Sequence, residues 1–153
     1  MSKNKLKVEA IAQGTVIDHI PAGMGVRILK FFQLTDKNER ITVGLNLRSG
    51  DTYKKDLIKV ENTVFTVEQA NQLALFASEA TINEINDFKV VNKYKVQLPD
   101  AISGVLSCPN SNCITRHETV ATRFYVTEKH TGTTLKCHYC EKSFQTSLFS
   151  ELN

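Results

Sequence analysis

The sequence predicts an α+β fold in two parts, and three observations lead to this prediction. In the first hundred residues, short apolar segments of period two are interleaved with two segments of helical period. All four cysteines lie after residue 107. The composition, 41% hydrophobic and 23% charged over 153 residues, is that of a globular protein. We therefore expect an N-terminal domain over residues 1–100 and a small β-rich domain with the cysteines over residues 101–153.

The first predicted elements are a strand and a helix. Leu6, Val8 and Ala10 alternate with polar residues, as in a half-buried strand. Pro21 stands where a helix often begins. An apolar stripe of helical period follows it, formed by Val26, Ile28, Leu29 and Phe32. We therefore expect the first helix to begin at Pro21.

A hairpin is predicted next. The segment ITVGLNL places four apolar residues on one face, namely Ile41, Val43, Leu45 and Leu47. The turn RSGD and the segment KDLIKV then complete two paired strands. We expect ITVGLNL at a sheet edge, where unpaired backbone groups can pair with another chain. Homodimerisation through this edge and shielding of the edge by a loop both remain open.

A second helix and a further strand complete the N-terminal domain. Thr66 and Gln69 have the spacing of a capping box. The buried stripe of the helix is predicted to comprise Val67, Ala70, Leu73, Ala74 and Ala77. TINEI predicts a strand, which DFKVV either continues or follows as one more. The order β-α-β-β-α-β is that of a ferredoxin-like plait, an antiparallel sheet with two helices on one face.

The C-terminal domain is predicted to follow a short connector, NKYKVQLPDAISG. Aromatic and β-branched residues favour short strands around Phe124, Tyr125, Val126, Leu135, Phe144 and Leu148. The glycine and threonines of HTGTTL indicate a hairpin turn before the second cysteine pair. This domain is near the size at which a chain needs a metal or a disulfide to fold.

The cysteine spacing predicts a structural metal site. The turn-forming residues PNSN separate Cys108 from Cys113, so the chain can direct both thiolates at one point. Two residues separate Cys137 from Cys140, a spacing common in tetrahedral zinc sites. Four thiolates leave no open position for a substrate, so we expect one structural Zn²⁺ per chain. A redox dithiol at the second pair and four inert buried cysteines are the alternatives.

Charge and targeting signals narrow the function classes. No apolar run has the length of a membrane span or a signal peptide, so we expect a cytoplasmic chain with reduced thiols. From residue 101 onward there are five basic and four acidic side chains. Four thiolates and one zinc ion make this net charge negative, which is a poor match for a phosphate backbone. We therefore expect a protein partner and no nucleic acid or membrane partner.

The N-terminal domain shows no Walker A, G-x-G-x-x-G or HExxH motif. Asp18 and His19 are adjacent in sequence, and local pattern favours a loop role for them over acid–base chemistry. Lysines on two strands are candidates for an anion site, although each alone is typical of a solvated surface; they are Lys54, Lys55, Lys59, Lys93 and Lys95.

Six segments in order resemble the regulatory chain of aspartate carbamoyltransferase: GTVIDHIPAG, RITVGLNL, KDLIKVENT, QLALFA, CPNSNCI and LKCHYCEKSF. The resemblance runs from about Leu6 to Phe144. It implies a non-catalytic, allosteric subunit of pyrimidine biosynthesis that binds ATP as activator and CTP, with UTP, as inhibitors. It also implies that the zinc domain docks on the catalytic chain and that regulatory dimers join two catalytic trimers into a dodecamer of six catalytic and six regulatory chains.

The resemblance further implies an effector site. Its residues would be Glu9, Ala10, Ile11 and Val16 around the base, Asp18 and His19, the ribose and phosphate contacts Lys59 and Lys93, and the lining residues Asn83, Ile85, Phe88 and Val90. The implied metal ligands are Cys108, Cys113, Cys137 and Cys140. Phe88 carries no hydroxyl, so a hydrogen bond that an aromatic hydroxyl in relatives can make is absent here.

Two other classes fit part of the pattern. An ACT-like small-molecule sensor shares the order of the plait, but it does not account for the cysteines. A nucleic-acid-binding zinc ribbon accounts for the cysteines, but the charge of residues 101–153 disfavours it.

Overall fold

A computed structural model describes residues 10–50 and 52–151. The chain divides into two compact units, Met1–Gln97 and Leu98–Asn153. Leu6 and Val8 of the first predicted strand, and the site residue Glu9, lie outside the described residues. Ala10 of that predicted strand lies in no strand; the first described strand is Gln13–Pro21, which contains Asp18 and His19, for which a loop was favoured. The elements of the first unit are β1 (Gln13–Pro21), α1 (Gly25–Phe31), a 3₁₀ helix (Leu34–Lys37), β2 (Ile41–Ser49), β3 (Tyr53–Glu61), α2 (Val67–Asn71), a 3₁₀ helix (Gln72–Leu75), β4 (Thr81–Asn86) and β5 (Lys89–Lys95).

The first unit contains one antiparallel sheet in the order β2-β3-β1-β4-β5. Strands β1 to β4 lie in the spatial order of the predicted plait, with β2 at the edge of the sheet. The α+β class is therefore confirmed. The KVV part of DFKVV belongs to an additional strand and does not continue TINEI, because Asp87 and Phe88 adopt left-handed φ angles of 53° and 63° and turn the chain.

One face of this sheet forms the core of the first unit. Ile17 pairs with Ile58 and with Ile82, and all three side chains are fully buried. Directly paired residues of antiparallel strands share a face, so these three form one apolar row. Buried helical residues, Ile28, Ala70, Leu73 and Ala74 among them, complete the core.

The first helix begins later than predicted. Pro21 ends β1, and α1 begins at Gly25 after a turn in which the Met24 N–H donates to the Pro21 carbonyl (3.0 Å). Of the predicted stripe, Ile28 is fully buried, but Val26 is 55% exposed. The prediction at Pro21 was therefore wrong, because a proline that starts a helix and one that ends a strand have the same local signature.

The alternation of β2 is also broken. The register between β2 and β3 shifts between Gly44 and Leu47, and Asn46 has a left-handed φ of 57°. This β-bulge turns Leu45 outward, so that it is 46% exposed and does not share a buried face with Ile41 and Val43.

The second helix begins as predicted. The Thr66 hydroxyl accepts from the Gln69 N–H (3.1 Å), and the side-chain Oε1 of Gln69 accepts from the Thr66 N–H (2.9 Å), which confirms the capping box. Val67 is exposed, but the other four residues of the predicted stripe are buried.

The second unit contains a four-stranded antiparallel sheet in the order β6-β7-β8-β9. Its elements are β6 (Ala101–Ser103), a 3₁₀ helix (Ile114–Arg116), β7 (Arg123–Lys129), β8 (Gly132–Cys137), β9 (Ser143–Gln145) and α3 (Thr146–Glu151). The predicted HTGTTL hairpin is present, since Lys129 pairs with Gly132. The connector is shorter than predicted, because NKYK belongs to β5 and AIS to β6.

Leu148, where a strand was predicted, lies in helix α3. Phe149 of α3 is buried, and its ring lies edge-on to Phe124 (5.2 Å between centroids) and to Phe144 (6.0 Å). The prediction of a strand was wrong because one buried aromatic residue next to an exposed leucine shows no clear period, and such a pattern does not distinguish a strand from a helix. Among the described residues, none of the helices is long and apolar enough to cross a membrane.

Candidate effector site and metal centre

The face of the first sheet opposite to the Ile17 row carries most of the predicted effector residues. Val16 pairs with Lys59 of β3 and with Asn83 of β4, and Asn83 pairs with Lys93 of β5. These four residues form one row across four strands. Lys59 and Asn83 are buried and Lys93 is exposed, so the row presents one shielded and one open cationic group.

The neighbouring rows of this face differ in polarity. On one side, Gly14 pairs with Ile85, which pairs with Val90. On the other side, Asp18 pairs with Thr81, which pairs with Lys95. The face is therefore apolar at one end and charged at the other, a suitable arrangement for a ligand with an apolar ring and an anionic tail.

Asp18 and His19 form a compact polar arrangement at the charged end. The Lys55 ammonium lies 2.8 Å from Asp18 Oδ1, and the His19 N–H donates to the same oxygen (2.7 Å). Burial tends to raise the pKa of Asp18, but the hydrogen bonds from Lys55 and His19, with their positive charges, outweigh it and lower the pKa below its usual value. His19 Nδ1 lies 3.0 Å from Thr81 Oγ1. Asp18 and His19 therefore share one polar cluster with Lys55.

A groove of about 510 Å³ opens beside this cluster. Its lining includes His19, Tyr53, Lys54, Lys55, Thr81 and Lys95. Lys55 and Lys95 belong to the lysines predicted as candidates for an anion site, but the family resemblance did not include them among the effector residues. Spacing along the strands groups them with Lys59 and Lys93, because Lys55 and Lys59, and Lys93 and Lys95, are separated by even numbers of residues and lie on one face.

Three other predicted residues lie at or near the apolar end. Ile11 is buried and Ala10 is exposed, both just before β1. Phe88 is 65% exposed in the β4–β5 turn, and its N–H donates to the Ala12 carbonyl (3.0 Å). The turn thus lies against the segment that leads into β1, although the Phe88 ring itself projects into solvent.

The four cysteines of the second unit converge. Their Sγ atoms all lie within 4.8 Å of one another, with 3.8 Å between Cys108 and Cys140 and 3.7 Å between Cys113 and Cys137. A tetrahedral zinc ion with Zn–S bonds of about 2.3 Å places its sulfur atoms about 3.8 Å apart. The donor set therefore fits a structural metal, and no fifth side chain is needed.

Tight turns position both pairs. The Asn112 N–H donates to Asn110 Oδ1 (3.1 Å), and the Cys113 N–H donates to the Asn110 carbonyl (3.0 Å). In the second pair, the Glu141 N–H donates to the Cys137 carbonyl (2.9 Å), and Glu141 has a left-handed φ of 63°. Hydrogen bonds within the chain therefore position each cysteine pair.

The thiols of the cluster differ in acidity. Burial raises the pKa of Cys108. Burial also tends to raise the pKa of Cys113, but hydrogen bonds from the Thr115 hydroxyl and N–H and from neighbouring cysteines lower it to about 7. Cys113 is thus the most ready of these two thiols to offer a thiolate to a metal.

The histidines near this centre have other partners. His117 Nε2 lies 2.9 Å from the Ser111 carbonyl oxygen, and His138 Nδ1 lies 2.6 Å from the Tyr125 hydroxyl. These contacts leave the four cysteines as the donor set.

Comparisons with known proteins match both units. Residues 6–97 match the family described as aspartate carbamoyltransferase regulatory chain, allosteric domain, and residues 100–149 match its metal binding domain. A relative from Psychromonas ingrahamii, named aspartate carbamoyltransferase regulatory chain, is 64% identical over 99% of this chain and 99% of its own. Relatives of the same name from Tolumonas auensis and Aeromonas salmonicida are 60% and 59% identical over 97% of both chains.

Proposed function

Because this chain belongs to the family of aspartate carbamoyltransferase regulatory chains, we propose that it senses nucleotides for a catalytic partner. The chain is a non-catalytic regulatory subunit. In the proposal, residues 1–100 bind ATP as activator and CTP, with UTP, as inhibitors. Residues 101–153 bind one structural Zn²⁺ and dock on the catalytic chain.

The row Lys59, Val16, Asn83 and Lys93 carries this proposal. Lysine ammonium groups contact phosphates as point charges, and Lys55, Lys59, Lys93 and Lys95 share the face that the row defines. Asn83 supplies amide donor and acceptor groups at the centre of the row. The apolar end at Ile85 and Val90 offers a surface for a base. The effector contacts named for Ala10, Ile11, Val16, Asp18, His19 and Phe88 are part of the same proposal.

Purine and pyrimidine nucleotides would share the cationic end and differ at the apolar end. An effector shifts an equilibrium between two states only if it binds one state more tightly than the other. Coupling of this kind is typically worth about 1–3 kcal/mol. The larger purine base would fill more of the apolar end than cytosine, so ATP and CTP would each bind a different conformation of the domain more tightly.

The second unit supports the assembly part of the proposal. Four thiolates close a tetrahedral zinc shell, so the ion stabilises the unit and leaves catalysis to the partner. Reduced cysteines in such a cluster suit the cytoplasm. Edge strand β2 offers a surface for self-association into a regulatory dimer. We propose that such dimers join two catalytic trimers, with six chains of each kind.

Calorimetric titration of the metal-loaded chain with CTP, followed by competition with ATP, tests the effector site. Lys59→Met and Lys93→Met are expected to weaken CTP binding by roughly 10–100-fold, since a hydrogen bond to a charged group is worth about 1.5–3 kcal/mol. Lys89→Met is the matched control. Lys89 lies on β5, as Lys93 does, but it pairs with Asn86, which pairs with Gln13. This row lies on the sheet face opposite to the one that carries Lys59 and Lys93.

The control variant is expected to bind CTP within about twofold of the wild type, as a surface lysine remote from the ligand contributes little. Unchanged CTP affinity in both Lys59→Met and Lys93→Met would place the nucleotide elsewhere. Independent, simultaneous binding of CTP and ATP would refute a shared site.

A further inference from the structure

Asp56 of β3 is a charged residue buried in the first unit that the effector site does not use. Its side chain is fully buried. Its Oδ2 atom accepts from the Gly23 N–H (3.0 Å) and the Gly25 N–H (2.8 Å), and its Oδ1 atom accepts from the Asn46 N–H (2.9 Å). A single carboxylate therefore ties the start of α1 and the bulge of β2 to β3.

Two β-bulges flank this residue. In β1, the register with β3 shifts between Ile17 and Ile20, and the two residues between them are Asp18 and His19. In β2, the register shifts between Gly44 and Leu47. Ile20, which follows the first bulge, pairs directly with Asp56. The segment that carries Asp18 and His19 and the irregular part of the edge strand therefore lie on opposite sides of Asp56.

The neighbouring backbone is fitted closely to this carboxylate. A Cβ atom at Gly25 would lie 3.0 Å from Asp56 Oδ2 and 3.1 Å from Leu45 Cδ2. Burying a charge without partners is costly, and three N–H donors are what makes it tolerable here. An apolar side chain would leave these donors unpaired, so the arrangement requires an acceptor with two oxygens.

We propose that Asp56 is a positioning residue that couples occupancy of the effector site to the conformation of edge strand β2. The inference rests on the proposed function, because it takes CTP as the ligand that contacts Asp18 and His19. A ligand that shifts the β1 bulge also displaces the segment of residues 20–23, which follows the bulge. The N–H groups of Gly23 and Gly25 donate to Oδ2 of Asp56, and the N–H of Asn46 donates to Oδ1. The displacement is therefore transmitted to the β2 bulge through the rigid carboxylate of Asp56.

Asp56→Asn tests the link, because it can keep the hydrogen bonds to Gly23 and Gly25 while it removes the one to Asn46. The amide has one oxygen, which keeps two bonds if it faces Gly23 and Gly25, and its NH₂ group then opposes the Asn46 N–H. The link to β2 is lost while the site residues remain. Asp36→Asn is the control, since it removes the same charge from an exposed position in the first unit.

Hydrogen exchange of the metal-loaded full chain, with and without saturating CTP, measures the coupling. In the wild type and in Asp36→Asn, CTP is expected to slow exchange both around Asp18 and in the peptide Ile41–Ser49, by about fivefold or more at β2. In Asp56→Asn, CTP is expected to slow exchange around Asp18 only. A purely structural role would instead raise exchange at β2 equally with and without CTP and leave the CTP effect intact.

The outcomes distinguish the link from the site. Wild-type protein that binds CTP without any effect on β2 would overturn the link, and so would Asp56→Asn with an undiminished effect. Wild-type protein that does not bind CTP in calorimetry would refute the effector site, and the link would fall with it. If Asp56→Asn does not fold, Gly25→Ala serves instead, because its methyl group displaces the carboxylate without removing the charge; an undiminished CTP effect in that variant would overturn the link.

Discussion

The two units of this chain are stabilised in different ways. The first unit buries apolar side chains from strands β1, β3 and β4 and from its helices, which leaves the opposite sheet face available for charged groups. Among the described residues of the second unit, apart from the cysteines, five apolar side chains are buried, and three of the four cysteines are buried with them; the five are Ile102, Leu106, Phe124, Leu135 and Phe149. A domain with a sufficient apolar core can devote a face to binding, whereas a smaller one depends on a cross-link for its fold.

Metal removal is expected to show this difference most strongly. Structural zinc contributes an apparent free energy of about 10–16 kcal/mol in small peptides, so a chelator is expected to unfold the second unit. The first unit has its own core and is expected to keep its protected amides. Hydrogen exchange of the full chain before and after chelation, with zinc re-addition as the control, measures both units at once. Protection that persists in β7 and β8 without metal would contradict the comparison.

The aromatic core of the second unit is expected to give the next largest effect. Phe149→Ala removes a buried ring that contacts Phe124 and Phe144, and such truncations cost about 3–5 kcal/mol. The adjacent Leu148→Ala is the matched control, with an expected cost below about 1 kcal/mol because Leu148 is partly exposed. Denaturant unfolding of the metal-loaded chain measures the two costs. Equal costs would mean that α3 does not complete this core.

The smallest expected effect concerns acid stability of the first unit. The pKa of Asp18 is lowered in the folded chain, so its charge stabilises the fold above the usual aspartate pKa, and this contribution is lost as the pH falls through the lowered value. Asp18→Asn is therefore expected to flatten the pH dependence of stability below about pH 4. The change should be below about 1 kcal/mol, since the Lys55 partner is near the surface. Unfolding midpoints of wild type and variant at pH 3 and pH 6 measure it, and parallel pH profiles would contradict it.

Local patterns in the sequence determined the order of elements and the metal centre. Alternation with period two or 3.6, the capping box at Thr66 and Gln69, and the cysteine spacings all involve residues a few positions apart, so they are legible without the fold. The family resemblance implied Lys59 and Lys93. Lys55 was one of five lysines predicted as candidates for an anion site, but the fully buried Asp56 was assigned no role, because an aspartate on a strand has the same local pattern whether it is buried or exposed.

The tertiary structure alone decided which groups meet. The bulges at Asp18 and at Leu45 change which residues of β1 and β2 oppose β3, and a shift of one residue moves a side chain to the other face of a sheet. Whether Pro21 ends a strand, whether Phe149 enters the core, and whether Asp56 finds three N–H donors depend on partners far away in sequence. Sequence by itself therefore determined most of the elements and the type of the metal ligands, whereas long-range pairing determined which sheet face each side chain occupies and that Asp56 is buried.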